Sequence, residues 1–117
     1  MKKFLLISLM LLTVMSMAAC GGADDDPVIA QEAKNMVRLS KITVDPERLA
    51  EYNAYLKEEI EASMRLEPGV LVLYAVAEKE RPHHVTILEI YVDEAAYKSH
   101  IATPHFQKYK KETLDMV

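Results

Sequence analysis

The strongest constraint on the fold is a helical hydrophobic pattern with proline at both ends. Asp45-Pro46 is typical of a helix start, because an acidic N-cap is followed by proline at the first helical position. Glu67-Pro68-Gly69 predicts the end, since proline cannot continue a helix and glycine suits a left-handed turn. Between them, apolar residues at steps of three and four fall within an arc of about 120°. These residues are Leu49, Tyr52, Leu56, Ile60 and Met64. One long amphipathic helix is therefore predicted, with this face towards a core.

Strand patterns lie on both sides of this helix. Met36–Val44 alternates polar and apolar side chains, which is typical of a strand with two different faces. Val70–Ala77 is apolar throughout, so this strand is predicted to be covered on both faces. Lys79–Pro82 predicts a turn, and His84–Val92 predicts the returning strand of a hairpin.

Two shorter helices complete the predicted order. Asp93 predicts the N-cap of a helix over Glu94–Ala102, and Thr103-Pro104 ends that helix and opens another through about Lys111. The order β-α-β-β-α predicts an α+β fold, in which helices cover one face of an antiparallel sheet. The other face of the Val70–Ala77 strand then needs a cover. A second copy of the chain would supply it, which predicts a symmetric homodimer.

The N-terminal leader has the pattern of a secretion signal that ends at a cysteine. Lys2-Lys3 precedes the apolar stretch Phe4–Met17, which is shorter than the roughly 20 residues that span a bilayer core. Met17-Ala18-Ala19-Cys20 resembles the bacterial lipobox, in which the cysteine is diacylated and becomes the new N-terminus. Residues 1–19 are therefore predicted to be a lipoprotein signal peptide, and Cys20 to be the lipidation site. The alternative for this single cysteine is a buried free thiol or an odd disulfide partner.

Residues 20–34 are predicted to form the lipidated end and a flexible acidic tether before a domain over residues 35–117. The segment Gly21-Gly22-Ala23 is flexible, and the three successive aspartates at 24–26 repel one another. We expect a protein of the bacterial cell envelope, anchored to a membrane by lipid on the periplasmic or cell-surface side. The net charge of −4 argues against nucleic acid as a partner, because a backbone binder needs a basic face.

Two segments carry a resemblance to a known family. The first is Glu67-Pro68-Gly69-Val70, directly after the long helix. The second is Glu89-Ile90-Tyr91-Val92-Asp93-Glu94-Ala95-Ala96-Tyr97, which runs into His100-Ile101-Ala102-Thr103-Pro104-His105-Phe106. From about Met36 to Val117, the chain resembles the antibiotic biosynthesis monooxygenase (ABM) domain, and most closely its small quinol monooxygenase branch. The resemblance implies a ferredoxin-like dimeric α/β barrel, with a pocket between the sheet and helices of each subunit.

The chemistry that this resemblance implies includes oxygenation of quinols without metal or flavin, haem degradation, and isomerisation of small sugar-derived signals. The chain has no tryptophan, and Tyr91 stands where many relatives have an aromatic residue, often tryptophan. The haem-degrading branch is therefore disfavoured. Relatives usually continue into a fourth strand, whereas only Leu114–Val117 follow the third predicted helix. A missing or truncated fourth strand is therefore expected.

His100 and Glu89 are the candidate catalytic residues. His100 flanks the apolar face of the second predicted helix, as a packed core residue or as the acid–base group that the resemblance implies. Glu89 interrupts an apolar strand, where it is a base or, as the favoured alternative, one side of an ion pair. His105 begins the third helix, in the pocket or at the surface. Adjacent His83 and His84 face opposite sides of a strand and cannot chelate one metal, and no pair of histidines or cysteines has zinc spacing, so no metal site is predicted. The resemblance implies chemistry without a cofactor.

Aromatic side chains are the candidate substrate-binding residues, because they can stack on an aromatic ligand or donate a hydrogen bond to it. They are Tyr52, Tyr74, Tyr91, Tyr97 and Phe106. Core packing is the alternative for each. The sequence thus predicts a cofactor-independent monooxygenase acting on a small aromatic or quinol-type substrate, through an anion that reduces O₂ directly. The alternative function is a non-catalytic ligand-binding lipoprotein module with the same dimeric fold.

Overall fold

The computed structural model describes residues 34–117, which form three strands and three α-helices. In chain order these elements are β1 (Met36–Thr43), α1 (Leu49–Leu66), β2 (Val70–Ala77), β3 (His84–Tyr91), α2 (Glu94–Ile101) and α3 (Pro104–Thr113). The predicted order β-α-β-β-α is confirmed. The predicted signal peptide, Cys20 and most of the tether lie outside the described residues.

The helix starts follow from the residues that the sequence places there. The Asp45 carboxylate accepts the backbone N–H of Glu47 at 3.0 Å, but a single 3₁₀ turn over Pro46–Arg48 comes before α1. The side chains of Asp93 and Thr103 each accept the backbone N–H three residues further on, at 2.8 and 3.3 Å. Each cap satisfies a donor that the first turn of a helix leaves unpaired.

Gly69 has a different role from the predicted one. Gly69, the single glycine among residues 34–117, does not have a positive φ, so the turn after α1 does not need a left-handed residue. A Cβ atom on Gly69 would instead lie 2.7 Å from the Cβ of Ala96 in α2. Glycine is therefore required here because α2 packs directly against the loop between α1 and β2.

The sheet has the strand order β1-β3-β2, and β3 is antiparallel to both neighbours. Leu88 in β3 lies opposite Leu39 of β1 on one side and Tyr74 of β2 on the other. The helices cover one face of this sheet. The architecture confirms the predicted α+β ferredoxin-like fold, with three strands in the described part of the chain.

The buried stripe of α1 differs from the predicted one in its last two turns. Tyr52 and Leu56 are buried as expected, but Met64 is 46% exposed. Glu59 and Ser63 are buried instead. They continue the stripe of Tyr52 and Leu56 at helical spacing, because this part of α1 packs against the junction of α2 and α3, which carries polar side chains.

We call the helix-covered side of the sheet the inner face, and the other side the outer face. The outer face carries Val37, Leu39, Val72, Tyr74, Val76, Leu88 and Ile90. Within one chain this face is open, since Leu39 is 66% exposed and Tyr74 is 64% exposed. The predicted cover on both faces of β2 is therefore not present within a single chain. In β1 the predicted alternation is confirmed, with Val37 and Leu39 on the outer face and Arg38 and Ser40 on the inner face.

The end of the chain packs against the start of α1. Met116 lies in a 3₁₀ turn and is almost completely buried, and its carbonyl accepts the backbone N–H of Asp45 at 2.7 Å. Within residues 34–117, every helix falls short of the length and apolar character that crossing a membrane requires.

Candidate active site

A cavity of about 420 Å³ lies between the inner face of the sheet and helices α2 and α3. Its walls come from β1 and from the three consecutive elements β3, α2 and α3, so distant parts of the chain build it. The polar and aromatic side chains that line it include Arg38, Ser40, Glu89, Tyr97, Phe106 and Tyr109. This volume lies within the range of roughly 300–1,000 Å³ that is usual for sites of small molecules.

One wall of the cavity is charged. Glu89 projects from β3 onto the inner face, and its Oε2 lies 3.5 Å from Nε of Arg38. The hydroxyl of Ser40 donates to the same oxygen at 3.4 Å. The guanidinium carbon of Arg38 also lies 4.5 Å from the centre of the Tyr97 ring, which is a cation–π contact. Glu89 thus forms the ion pair that the sequence analysis favoured, and this pair faces the cavity.

The opposite wall is aromatic and two layers deep. Tyr97, Phe106 and Tyr109 line the cavity. Behind them, the ring of Tyr91 contacts that of Tyr97 at 5.4 Å between centroids, and the hydroxyl of Tyr52 lies 2.7 Å from that of Tyr109. Both second-layer residues are completely buried. The first layer can contact a ligand, and the second fixes the positions of the first.

The hydroxyls of the second layer differ in their partners. The Tyr52 hydroxyl is hydrogen-bonded to Tyr109, whereas the Tyr91 hydroxyl is buried without a hydrogen-bond partner among the described residues. Burial raises the pKa of Tyr91, and the Glu89 carboxylate raises it further. Burial also raises the pKa of Tyr52. Both phenols are therefore held in the neutral form.

A buried polar cluster lies next to this aromatic layer, and we call Glu59, Ser63, Glu67, His100 and His105 the His–Glu cluster. His100 is 1% exposed, with Nδ1 3.0 Å from Oε2 of Glu67 and Nε2 3.5 Å from Oε1 of Glu59. Nε2 of His105 lies 2.6 Å from the same Glu67 oxygen. The Ser63 hydroxyl donates to Oε1 of Glu59 at 2.7 Å.

The two carboxylates of the cluster are shifted in opposite directions. Burial raises the pKa of Glu59, against the opposing effects of Ser63 and His100. Burial also acts to raise the pKa of Glu67, but the hydrogen bonds with His105 and His100 outweigh it and hold that pKa below its usual value. The carboxylate between the two imidazoles is thus the more readily ionised one.

The junction of α2 and α3 brings the two histidines together. The Thr103 hydroxyl donates to the carbonyl of His100 at 2.7 Å and accepts the backbone N–H of Phe106 in the first turn of α3. The rings of His100 and His105 lie on either side of this junction, with centroids 6.5 Å apart. His105 is therefore part of the buried cluster, which was one of the two alternatives for it.

The predicted site residues fall into three groups. Glu89, Tyr97 and Phe106 line the cavity. His100, Tyr91 and Tyr52 lie one layer behind it, and the ring of His100 contacts Phe106 at 5.0 Å between centroids. Tyr74 lies apart from both groups, on the outer face.

Sequence reasoning did not identify several residues of the site. The missed residues are Arg38, Ser40, Glu59, Glu67 and Tyr109. Arg38 and Ser40 lie on the polar side of the β1 alternation, which is usually the solvent side. Glu67 lies in a segment whose proline and glycine predicted only a helix end. The one local signal was the pair of histidines on either side of the Thr103-Pro104 helix break.

The fold and the cavity define an α+β, ferredoxin-like protein with an internal site of small-molecule size. Residues 36–112 match the sequence profile of the antibiotic biosynthesis monooxygenase family. Because this match covers more than half of the chain, the protein belongs to that family. The comparison with functionally curated proteins finds no match.

Solved structures of similar proteins agree with the family match. A Bacteroides thetaiotaomicron protein, provisionally named an antibiotic biosynthesis monooxygenase, is 85% identical with a TM-score of 0.73, over 74% of this chain and 82% of its own. A Lactobacillus acidophilus protein, provisionally named a monooxygenase, is 30% identical with a TM-score of 0.71, over 72% of this chain but only 40% of its own. A conserved Methanosarcina mazei protein is 26% identical with a TM-score of 0.70, over 76% of this chain and 87% of its own. The family and these neighbours support a monooxygenase-like function in general terms.

Proposed function

We propose that the protein is a cofactor-independent monooxygenase that acts on a small aromatic or quinol-type molecule. The observation that carries this proposal is the cavity itself, in which an aromatic wall stands opposite a single acidic group, Glu89. An aromatic substrate can stack against Tyr97 and Phe106 while its hydroxyl faces the carboxylate. The alternative candidate base, His100, lies behind Phe106.

The proposed reaction begins when Glu89 removes the proton of a phenolic hydroxyl. Arg38, whose Nε lies 3.5 Å from this carboxylate, stabilises the resulting anion. The electron-rich ring then reduces O₂ directly, and a C–O bond forms at a free ring position. Loss of water from the hydroperoxide leaves a quinone. One oxygen atom enters the product, the other leaves as water, and the substrate supplies all four electrons.

His100 is a positioning residue in this proposal. Its ring contacts Phe106 and Tyr91, and its nitrogens are held between Glu67 and Glu59. It therefore orients the aromatic wall while it remains out of contact with the substrate.

Oxygen uptake by the full chain against a panel of quinols tests the proposed reaction. Glu89→Gln keeps the size of the side chain but removes the base, so we expect turnover to fall by about 10²–10⁴-fold. Glu94→Gln changes an exposed acid on α2 and is the matched control, with unchanged turnover expected. Equal turnover in the Glu89→Gln variant and the unmodified chain would contradict the proposal.

The second candidate function is a ligand-binding module without turnover. The observation that favours it is that Arg38 and Ser40 both contact the Glu89 oxygen, so that the carboxylate is already occupied. The same panel separates the two functions. A module of this kind would bind a quinol, as measured by quenching of tyrosine fluorescence, without consuming oxygen.

We also propose that two copies of the chain associate through the outer face. This face is apolar and open, and apolar patches of this kind usually mark interaction sites. A symmetric pair would bury the same patch of both copies at once. The cavity lies on the other side of the sheet, so each copy would keep its own site.

We propose that the protein is a lipoprotein of the bacterial cell envelope. The support is the sequence alone, in which Cys20 directly follows the apolar stretch and two small residues. Two or more acyl chains anchor a protein stably, since each buried CH₂ contributes about 0.8 kcal/mol.

The anchoring is tested by expression of Cys20→Ser in a bacterium that processes lipoproteins. We expect an uncleaved precursor that lacks the diacylglyceryl mass, measured by intact-protein mass spectrometry. Normally processed protein that stays soluble without detergent would contradict the lipoprotein proposal.

A further inference from the structure

The His–Glu cluster combines the side chains that first-row transition metals prefer. Glu59, His100 and His105 each offer one ligand atom, and these three atoms all lie within 4.8 Å of one another. Glu59 and His100 are buried, and His105 is half-buried. They come from three different helices, α1, α2 and α3, so helical spacing within one helix does not explain why they lie close together.

The distance between two of these ligands fits a metal better than a hydrogen bond. Nε2 of His100 lies 3.5 Å from Oε1 of Glu59. An N–H···O hydrogen bond is usually 2.7–3.2 Å long, at about 2.9–3.0 Å most often. Two neighbouring ligands of a tetrahedral Zn²⁺ ion lie about 3.4 Å apart, given metal–ligand distances of about 2.1 Å. The pair is therefore already spaced to share an ion.

The residues around these ligands resemble the supporting shell of a zinc site. Glu67 contacts Nδ1 of His100 at 3.0 Å, which orients the ring and leaves Nε2 directed at Glu59. Such a carboxylate–histidine contact commonly fixes the tautomer of a metal ligand. Ser63 donates to the Glu59 carboxylate at 2.7 Å and holds it in place. Ser63 and Glu67 thus support Glu59 and His100, and the same Glu67 oxygen lies 2.6 Å from Nε2 of His105.

The geometry points to a binding site for one divalent transition-metal ion of the Zn²⁺ type, with Glu59, His100 and His105 as its protein ligands. Imidazole nitrogens together with one carboxylate suit this class of metal. The ion would link α1 to both helices that carry the aromatic wall of the cavity. It would act as a structural link behind Phe106, and this inference does not depend on the proposed reaction.

The test uses the full chain with Cys20→Ser in every variant, so that no thiol competes for metal. Chelator-treated protein is titrated with Co²⁺, whose visible absorption reports the number and geometry of its ligands, and Zn²⁺ is then added in competition with a chelating dye. We expect one equivalent of Co²⁺ with a low-coordinate spectrum, its displacement by Zn²⁺, and a higher melting temperature with either ion.

The variants locate the site. His105→Gln should weaken Zn²⁺ binding by more than 100-fold, since it removes one of three ligands. Glu67→Gln should weaken it by about 10–100-fold, as expected for a residue that only orients the ligands. The chain has four histidines, so His83→Gln/His84→Gln is a matched control that removes the other two, and it should bind as the parent does.

Several outcomes would overturn the inference. One is the absence of any Co²⁺ or Zn²⁺ binding by folded parent protein. Another is binding that survives His105→Gln but is lost in His83→Gln/His84→Gln, which would place the metal on the hairpin. His105 is chosen over His100 because its half-buried ring makes the variant easier to fold. If this variant is nevertheless unfolded, equal metal affinity of Glu67→Gln and the parent would decide against the site.

Discussion

The two faces of the sheet differ at the centre of the pairing between β1 and β3. On the inner face, Arg38 of β1 lies opposite Glu89 of β3. One residue further along β1, Leu39 lies opposite Leu88 on the outer face. The helices thus cover a face that combines the apolar core with one charged pair, while the centre of the face without helices is apolar.

The difference between the two faces can be explained by the free energy of burying charged groups and of exposing apolar groups. A buried charge is costly unless it is paired, and the buried Glu89 carboxylate is paired with Arg38, whose side chain is 37% exposed. Their position is understandable if the inner face is shaped for a ligand. Apolar side chains in water are also unfavourable, and Leu39 and Tyr74 on the outer face are best explained by a covering partner. The contrast supports the proposals of a ligand site on the inner face and of an interface on the outer face.

The largest expected effect comes from charging the outer face with Leu39→Asp/Tyr74→Asp. Burial of one large apolar side chain contributes about 1.5–3 kcal/mol, so two acids in its place should separate the copies by more than 100-fold in dissociation constant. Sedimentation equilibrium measures the change. Thr43→Asp, on the same face at its polar end, should leave the dimer intact. A monomeric parent protein would contradict the interface.

An intermediate effect is expected from removal of one half of the charged pair on the inner face. Arg38→Leu leaves the Glu89 carboxylate with only Ser40 as a partner, and should lower the free energy of unfolding by about 1–3 kcal/mol. Arg38→Leu/Glu89→Leu should recover most of that loss, because the unpaired charge is gone. Urea unfolding measures the free energy of unfolding of the single and the double variant. Equal stability of the two variants would show that the pair contributes nothing.

The smallest expected effect on stability comes from removing either of the two buried hydroxyls behind the cavity, those of Tyr52 and Tyr91. Tyr52→Phe loses the hydrogen bond to Tyr109 and should lower the free energy of unfolding by about 0.5–1.5 kcal/mol. Tyr91→Phe removes a hydroxyl that has no partner among the described residues, so it should leave stability unchanged or raise it. Guanidinium unfolding at a fixed protein concentration measures the free energy of unfolding of both variants. A clear loss in Tyr91→Phe would reveal a partner for that hydroxyl.

The order and limits of the elements were largely predictable because their signals are local. Asp93 and Thr103 cap helices through bonds to residues only three positions away, and both were recognised. The alternation of β1 was also recognised. The sequence did not show which side of β1 would face the helices. That choice depends on α2 and α3, which follow some 50 residues later in the chain.

The candidate site was predictable only in part. Glu89, Tyr97 and Phe106 were chosen from their residue types and the family resemblance, and all three line the cavity. The same reasoning also chose Tyr74, which lies on the opposite face. Residue type alone does not separate these cases, since a tyrosine on either face of a strand has the same local pattern.

The sequence by itself determined the elements, their caps and the family, because these depend on backbone sterics, short-range hydrogen bonds and a recognisable run of residues. Only the tertiary structure decided which side chains meet on each face of the sheet. It placed Glu59 of α1 and Glu67, directly after α1, around His100 and His105 from two other helices. It also exposed Met64, where helical periodicity had predicted burial. The physical reason is that a contact between distant segments depends on how whole helices pack, and no local pattern of residues records that packing.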